Sequence, residues 1–391
     1  MTNELALYFH IPFCLKKCNY CDFLSFGADS PLADGKTKAR YMDSLLRETV
    51  MRAEDYRNYR VVSVFVGGGT PSMVMPEFLS ELMAVVREHY RLAEDAEITI
   101  EVNPGTVDER ALRCYQQAGI NRLSIGLQSA DNGELAALGR VHTYGQFLGT
   151  YYTARKCGFS NVNVDIMSAL PGQTLKGYLD TLEKVLALDP PPEHVSAYSL
   201  ILEEGTVLWE QAGRGELVLP DEDTEREMYE AARRVLEGAG YVRYEISNYA
   251  RPGRECRHNC GYWCRRDYAG FGIGAASLID NVRFKNGEDL RAYLVSPTGC
   301  QCDRQALSLS EQMEEFMFLG LRMTAGVSAA EFAACFGEEP EHVYGEVIKK
   351  NIGDGLLRWT EGLSGNSSDR RLALTEKGLD LANYVMAQFL F

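Results

Sequence analysis

Residues 5–21 read LALYFHIPFCLKKCNYC, and this stretch decides how the rest of the chain is interpreted. The apolar run at 5–9 predicts a buried β-strand, and Cys14, Cys18 and Cys21 follow it in a C-x3-C-x2-C spacing. Thiolates that hold an iron–sulfur cluster must converge from a tight loop, and a [4Fe–4S] cube takes one cysteine per iron. A set of only three cysteines therefore leaves one iron open to bind a substrate or a cofactor.

A zinc site is the other interpretation of the same loop. His10 precedes the three cysteines, and a Cys3His set is a known structural zinc site. The loop alone leaves both metals open, whereas the motifs that follow it favour the cluster.

The cysteine loop opens a series of strand-and-helix units. The predicted strands are 5–9, 61–66, 97–102, 122–127, 161–167 and 194–201. The amphipathic segments between them are 40–57, 76–92, 107–118, 144–157 and 174–188. This alternation predicts an α/β fold with a parallel sheet and crossover helices, either an open doubly wound sheet or a partial (β/α) barrel.

The second predicted strand runs into VGGGTP, which places Gly68, Gly69 and Thr70 at its exit. Glycines there let the backbone approach a ligand closely, because no side chain stands in the way. A tight turn is the alternative explanation. The position beside the cysteine loop favours the ligand.

Three further polar residues, Glu101, Gln128 and Asp165, lie at or near the carboxyl ends of successive predicted strands. Parallel α/β folds build their sites at this edge. Carboxylate and amide groups can hold a ribose diol or an ammonium group through hydrogen bonds. Their shared placement favours a binding role over three unrelated surface positions.

The pattern changes after about residue 250. A Gly-, Arg- and aromatic-rich stretch at 251–277 precedes a helical region, and we expect three parts: a barrel at 1–245, a bridging segment at 246–305 and a C-terminal domain at 306–391. In the last part, predicted helices at 309–323, 329–336 and 341–351 precede a strand at 356–360, a polar turn at 362–370, a strand at 371–374 and a helix from 376. Helices followed by two strands predict a small, mainly helical, winged-helix-like domain.

Composition excludes several classes of protein. A chain of 391 residues with 46% hydrophobic residues can bury a large core, which excludes disorder as the main state. The formal charge of −15 argues against a nucleic-acid partner. The 11 cysteines, without a secretory leader or a run of roughly 18 apolar residues, favour a cytoplasmic protein without a disulfide framework, and leave open a peripheral contact with a membrane.

The order of the motifs resembles a known group of proteins. The cysteine loop followed by GGGTP is similar to the radical S-adenosylmethionine (SAM) superfamily. The motifs YFHIPFC, NYCDF, GGGTP, EVNP, NRLSIGLQS, DIMSALPGQT and HNCGYW resemble the oxygen-independent coproporphyrinogen III oxidase-like family over nearly the whole chain, and within it the HemW-type heme chaperones.

This resemblance implies a partial (β/α)6 barrel, a [4Fe–4S] cluster on Cys14, Cys18 and Cys21, and SAM chelating the open iron. An electron from the reduced cluster then splits SAM to a 5′-deoxyadenosyl radical. The residues that match the SAM site are Tyr8, Tyr20, Gly68, Gly69, Thr70, Glu101, Gln128, Arg140 and Asp165.

Two departures separate the branches of that family. The oxidase carries a fourth cysteine two residues after the third, where this chain has Phe23, and an N-terminal extension, whereas this chain begins seven residues before Tyr8. We therefore expect a heme chaperone that binds heme and transfers it to an acceptor protein, with an electron donor for the cluster. A coproporphyrinogen III oxidase, or a radical SAM enzyme on another substrate, stays the alternative.

The expected heme ligand is His258, in the RHNCGYW stretch, with Tyr262 and Trp263 as candidates for stacking on the porphyrin. An equally supported interpretation makes His258 part of a hydrogen-bonded pair that braces the barrel. Cys256, Cys260 and Cys264 form a C-x3-C-x3-C array around it, and unrelated thiols explain this array better than a metal site.

Overall fold

The computed structural model describes residues 3–361 and 370–390. Six parallel strands form the centre of the fold, in chain order: β1 (Glu4–Ile11), β2 (Arg60–Gly68), β3 (Leu92–Val102), β4 (Arg122–Gln128), β5 (Val162–Ser168) and β6 (His194–Ser199). Each pairs in parallel with the next. The predicted α/β fold is confirmed, and every predicted strand overlaps one of these six.

Helices cross over between these strands: α1 (Gly35–Met51), α2 (Pro76–His89), α3 (Glu109–Gln117), α4 (Asn132–Ala137), α5 (Tyr144–Lys156) and α6 (Leu175–Leu186). The first begins five residues before the predicted start, because the Asp34 carboxylate caps its first turn by accepting bonds from the Lys36 and Thr37 N–H groups. Among the described residues, no helix is both long and apolar enough to cross a membrane.

The sheet continues beyond the six strands at both edges. It contains 12 strands in the order β12-β11-β10-β9-β1-β2-β3-β4-β5-β6-β8-β7. The added strands are β7 (Val242–Glu245), β8 (Asn248–Ala250), β9 (Asp267–Phe271), β10 (Ala276–Ile279), β11 (Val282–Asn286) and β12 (Gln301–Ala306). The helices among and before them are α7 (Val207–Gly213), α8 (Glu222–Gly238), α9 (Arg257–Trp263) and α10 (Leu290–Val295). Because β9 pairs in parallel with β1, much of the segment expected at 246–305 belongs to the main sheet.

The C-terminal part has its own core. Its elements are α11 (Leu309–Gly320), β13 (Val327–Ser328), α12 (Ala329–Phe336), α13 (Pro340–Gly353), β14 (Leu357–Glu361), β15 (Arg370–Leu374), α14 (Glu376–Asp380) and α15 (Ala382–Ala387). Met317, Leu321, Phe332 and Phe389 are buried together there. The expected helices and two-stranded wing are present, and the polar turn at 362–369 lies outside the described residues.

The two faces of the barrel strands differ in polarity, and this difference positions the site. On β4, Leu123, Ile125 and Leu127 are fully buried in the core. Because side chains alternate along a strand, Ser124 and Gln128 point the other way and line a cleft. The sheet therefore buries apolar residues against its helices and encloses polar ones.

Candidate cluster and cofactor site

The cysteine loop is held as a compact unit by backbone hydrogen bonds. The Cys14 N–H donates to the Phe26 carbonyl at 2.9 Å, and the Phe26 N–H donates to the Pro12 carbonyl at 2.7 Å. The loop is also tied across the barrel, since the Asn19 N–H donates to the Leu138 carbonyl at 2.9 Å. These bonds fix the three thiols at the carboxyl end of β1.

Donors from other strands already approach the thiols. Thr70 Oγ1 lies 3.5 Å from Cys14 Sγ, and Arg140 Nη1 lies 3.6 Å from Cys18 Sγ. Burial raises the pKa of Cys14, and it raises the pKa of Cys21 to about 11. A positively charged iron centre stabilises the thiolates that this burial disfavours. The loop thus fits a cluster whose sulfur atoms receive hydrogen bonds from the protein.

The zinc interpretation would need a free ring nitrogen on His10. Its Nδ1 lies 3.0 Å from the Tyr8 hydroxyl, and its Nε2 lies 2.8 Å from the Leu24 carbonyl oxygen, so both are engaged. Across residues 3–361 and 370–390, no three His, Cys, Asp or Glu side chains are arranged around a single ion. A four-iron cube does not need such a point, because each thiolate binds its own iron.

Gly68 and Gly69, at the end of β2, leave no room for a side chain. Gly68 has φ of +111°, and a Cβ atom on it would lie 2.5 Å from His10 Nδ1. A Cβ on Gly69 would lie 2.9 Å from the Ile11 carbonyl oxygen. Both residues also line the cleft. The missing side chains let this turn pack against the cysteine loop, and so bring the loop and the cleft together.

Two carboxyl groups lie inside the cleft. Glu101 Oε2 accepts a hydrogen bond from the Gly68 N–H at 3.0 Å. Asp165 accepts bonds from Ser124 at 3.3 Å and from Asn163 at 2.7 Å. Burial, followed by the neighbouring Asp165, raises the pKa of Glu101 to about 8, and burial also raises the pKa of Asp165. Burial therefore disfavours the charged form of both groups, and a cationic ligand beside them would favour that form again.

Arg140 connects the cluster loop to the strands. Its Nη2 donates to Asn103 Oδ1 at 2.9 Å and to the Gly126 carbonyl at 2.7 Å. Asn103 in turn donates to Thr70 Oγ1 at 2.8 Å. Asn103 was not among the predicted site residues, although its place in the EVNP motif was an available signal.

Gln128 is held in an uncommon backbone conformation at the end of β4. It has φ of 71°, a left-handed value that non-glycine residues seldom adopt. Its Oε1 accepts a hydrogen bond from the Tyr198 hydroxyl at 3.0 Å. Tyr198 lines the cleft and was not predicted, although its position near the end of β6 was a usable signal.

These groups line one open cleft with a cavity volume of about 140 Å³. Eight of the nine residues expected around SAM line it: Tyr20, Gly68, Gly69, Thr70, Glu101, Gln128, Arg140 and Asp165. The three cluster cysteines line it as well. Tyr8 is not among the lining residues and packs against Phe65, with ring centroids 6.3 Å apart. The roles of these residues toward SAM stay predictions.

His258 lies outside this cleft, on α9, and is almost completely buried. Its Nδ1 lies 3.0 Å from Ser63 Oγ, and its Nε2 lies 2.9 Å from the Tyr262 hydroxyl. Burial lowers the pKa of His258 to about 3. Because both ring nitrogens have partners, heme ligation by His258 requires a rearrangement of α9 and stays a prediction.

The thiols around His258 have different surroundings. Cys256 is buried, and its Sγ lies 3.7 Å from Glu97 Oε1. Burial raises the pKa of Cys256 to about 12. Cys260 is half-buried and Cys264 is exposed. These different exposures fit separate thiols, one within α9 and one at each of its ends.

The parallel barrel with its cysteine-lined cleft defines a class of protein. Residues 8–185 match the Radical SAM superfamily, and residues 307–381 match the HemN C-terminal domain. The coproporphyrinogen III oxidase (HemN) from Escherichia coli, described as a radical SAM enzyme, superposes with a TM-score of 0.82 at 23% identity, over 99% of this chain and 90% of that one. This likeness shows the fold.

Relatives narrow the class further. The chain is 36% identical to the heme chaperone HemW of Lactococcus lactis over 98% of this chain and 97% of that protein. It is also 36% identical to the HemW of Bacillus subtilis, over 98% and 99% of the two chains. The chain therefore belongs to the HemW-type family of the radical SAM superfamily. Membership of the superfamily implies a [4Fe–4S] cluster and SAM as cofactors.

Proposed function

We propose that this chain is a heme chaperone that holds a [4Fe–4S] cluster on Cys14, Cys18 and Cys21, binds SAM at the open iron and transfers heme to an acceptor protein. The observation that carries the proposal is full-length similarity to HemW heme chaperones, combined with a cleft in which all three thiols meet the predicted SAM residues.

The residues of the cleft have different proposed roles, which follow from their chemistry. Thr70 and Arg140 donate toward cluster thiolates, which stabilises their negative charge. In this proposal Glu101 accepts from a ligand ammonium group and Asp165 accepts from a ligand diol. Once bound and reduced, the cluster supplies the electron for SAM cleavage, while the protein positions the ligand and limits access of water.

Phe23 supports this function over that of the oxidase. By the family resemblance it stands where the oxidase carries a fourth cysteine, and the residue is 60% exposed at the cleft. A phenylalanine cannot reproduce thiol chemistry there. This residue therefore supports heme handling over the decarboxylation of coproporphyrinogen III.

The test is anaerobic reconstitution of the protein with iron and sulfide, followed by titration with heme. We expect a saturable Soret shift and subsequent transfer of the bound heme to a heme-depleted hemoprotein. Lack of saturable heme binding by protein that carries its cluster would contradict the proposal.

A further inference from the structure

The mouth of the cleft carries an exposed group of residues that the cluster and SAM do not require. We call Lys16, Lys17 and Phe23 the mouth patch. All three line the cleft, all three are exposed, and Phe23 is 60% accessible. They alternate with the cysteine ligands on one loop, so the bonds that hold that loop also hold the patch.

The charge of the patch is opposite to that of the chain as a whole. The protein has a formal net charge of −15, yet Lys16 and Lys17 lie side by side at this opening. Arg140 lines the same cleft. Asp22 is exposed beside Phe23 but is not among the lining residues. Two ammonium groups and an exposed aromatic ring that line the same opening match a flat apolar ligand that carries carboxylates.

The other candidate heme position is closed. His258 is 1% exposed, and both of its ring nitrogens have hydrogen-bond partners within the protein. Glu97 additionally fixes the start of α9, by accepting bonds from the Arg257 and His258 N–H groups at 3.0 Å each. A ligand as large as a porphyrin could reach this histidine only after α9 leaves the barrel.

The geometry points to the mouth patch as the docking site of the heme cargo, with one porphyrin face against Phe23 and the two propionates paired with Lys16 and Lys17. This inference rests on the proposed heme-chaperone function and assigns it a place on the molecule. Recognition is by the ring face and the carboxylates, so it does not depend on the iron. Heme then lies at the opening of the cleft that holds the cluster, on the surface available to an acceptor protein.

The test compares hemin with metal-free protoporphyrin IX on reconstituted protein, by absorbance and by fluorescence titration. We expect similar affinity for both ligands. Phe23→Ala should weaken both about tenfold, since an aromatic stack contributes on that order, and the double variant Lys16→Gln/Lys17→Gln should weaken both by about five- to tenfold. Matched controls are Lys176→Gln on α6 and Tyr152→Ala on α5, two exposed positions away from the cleft, which should bind both ligands unchanged.

Several results would overturn the assignment. Unchanged affinity in both patch variants would do so, as would binding of hemin without binding of protoporphyrin, which indicates iron ligation. If the lysine variants keep their heme affinity but an acidic redox protein no longer reduces their cluster, the lysines bind an electron donor and not heme. If the unaltered protein binds neither ligand, the proposed function itself fails, so the two failures are distinguishable.

Discussion

Glu97 and Glu101 lie on the same strand and the same face, four residues apart, yet the protein uses them differently. Glu97 accepts hydrogen bonds from the Arg257 and His258 N–H groups and contacts the Cys256 thiol. Glu101 accepts only one bond that the structure describes, from Gly68, and faces the cleft. The two residues lie about 13 Å apart along the strand. The acceptor capacity of Glu97 is used within the protein, whereas Glu101 has acceptor capacity left for a ligand.

The difference shows how to tell a working site from a structural one when both are polar and buried. Around His258, ring nitrogens and backbone donors find partners within the chain. Around the cysteine loop, carboxyl groups and thiols with raised pKa values converge on an open cleft. Ionisable groups with perturbed pKa values and acceptor capacity left over, placed at an opening, indicate where a ligand binds.

The largest effect should come from Cys18→Ala. The variant removes one of the three thiolates that bind the cluster. Because the two remaining thiolates are too few to retain it, we expect loss of the cluster. Iron and sulfide analysis with visible absorbance measures this. Cys335→Ala, at an exposed thiol on α12, is the matched control and should keep its iron. Full iron content in the Cys18 variant would refute the ligand assignment.

The next effect separates the two glutamates. Glu97→Ala leaves the buried His258 N–H and the part-buried Arg257 N–H without their acceptor, and we expect a loss of about 2–4 kcal/mol in the free energy of unfolding. Glu101→Ala should cost less than about 1 kcal/mol, keep the iron content, and weaken SAM binding about tenfold or more. Urea unfolding and SAM titration measure the two quantities. A reversed order of the stability losses would show that the comparison is wrong.

The two regions should also respond to pH in opposite directions. The pKa of Glu101 is raised to about 8 from 4.5, so its protonated form is favoured in the folded state and its stabilising contribution is lost as pH rises toward and through 8. The pKa of His258 is lowered to about 3 from 6.5, so its contribution is lost as pH falls from 6.5 toward 3. The free energy of unfolding can be measured between about pH 3 and pH 8 for Glu101→Gln, His258→Gln and the unaltered protein. Each variant should lose the pH dependence that its own residue contributes.

The smallest effect concerns the contact between Arg322 of the C-terminal domain and Trp263 of α9. The Arg322 guanidinium lies 4.3 Å from the ring centroid of Trp263 and donates to Glu245 at 3.5 Å, which joins the C-terminal domain to the barrel. Arg322→Lys loses the planar stack, and we expect a loss of about 0.5–1 kcal/mol. Thermal unfolding measures it, and Arg358→Lys, at an exposed position on β14, is the control. An unchanged melting temperature would mean that this stack does not hold the domain.

Sequence was sufficient for the six barrel strands because β-branched apolar residues mark them. It placed the start of β3 at 97, five residues late, because LAEDA at 92–96 lacks that pattern, and of these residues Leu92 pairs with Val61 of β2. It did not identify β9, whose DYAGF sequence contains a glycine, Gly270, where a Cβ would lie 2.3 Å from the Ala276 carbonyl oxygen. Pairing between strands distant in sequence decides such cases.

Site residues could be predicted from the sequence where a polar residue stood at the end of a predicted strand. Glu101, Gln128 and Asp165 were predicted on that basis, and all three line the cleft. The contact of Arg140 with Cys18 joins residues 122 apart in the chain, and nothing local specifies it. The bonding of both His258 nitrogens likewise depends on Ser63 and Tyr262, which only the fold brings together.

The most direct test of the account compares heme with coproporphyrinogen III on the same reduced, reconstituted protein in the presence of SAM. We predict saturable heme binding, transfer of that heme to a heme-depleted acceptor, and no protoporphyrinogen formed. Conversion of coproporphyrinogen III to protoporphyrinogen with release of 5′-deoxyadenosine, and no saturable heme binding, would contradict it.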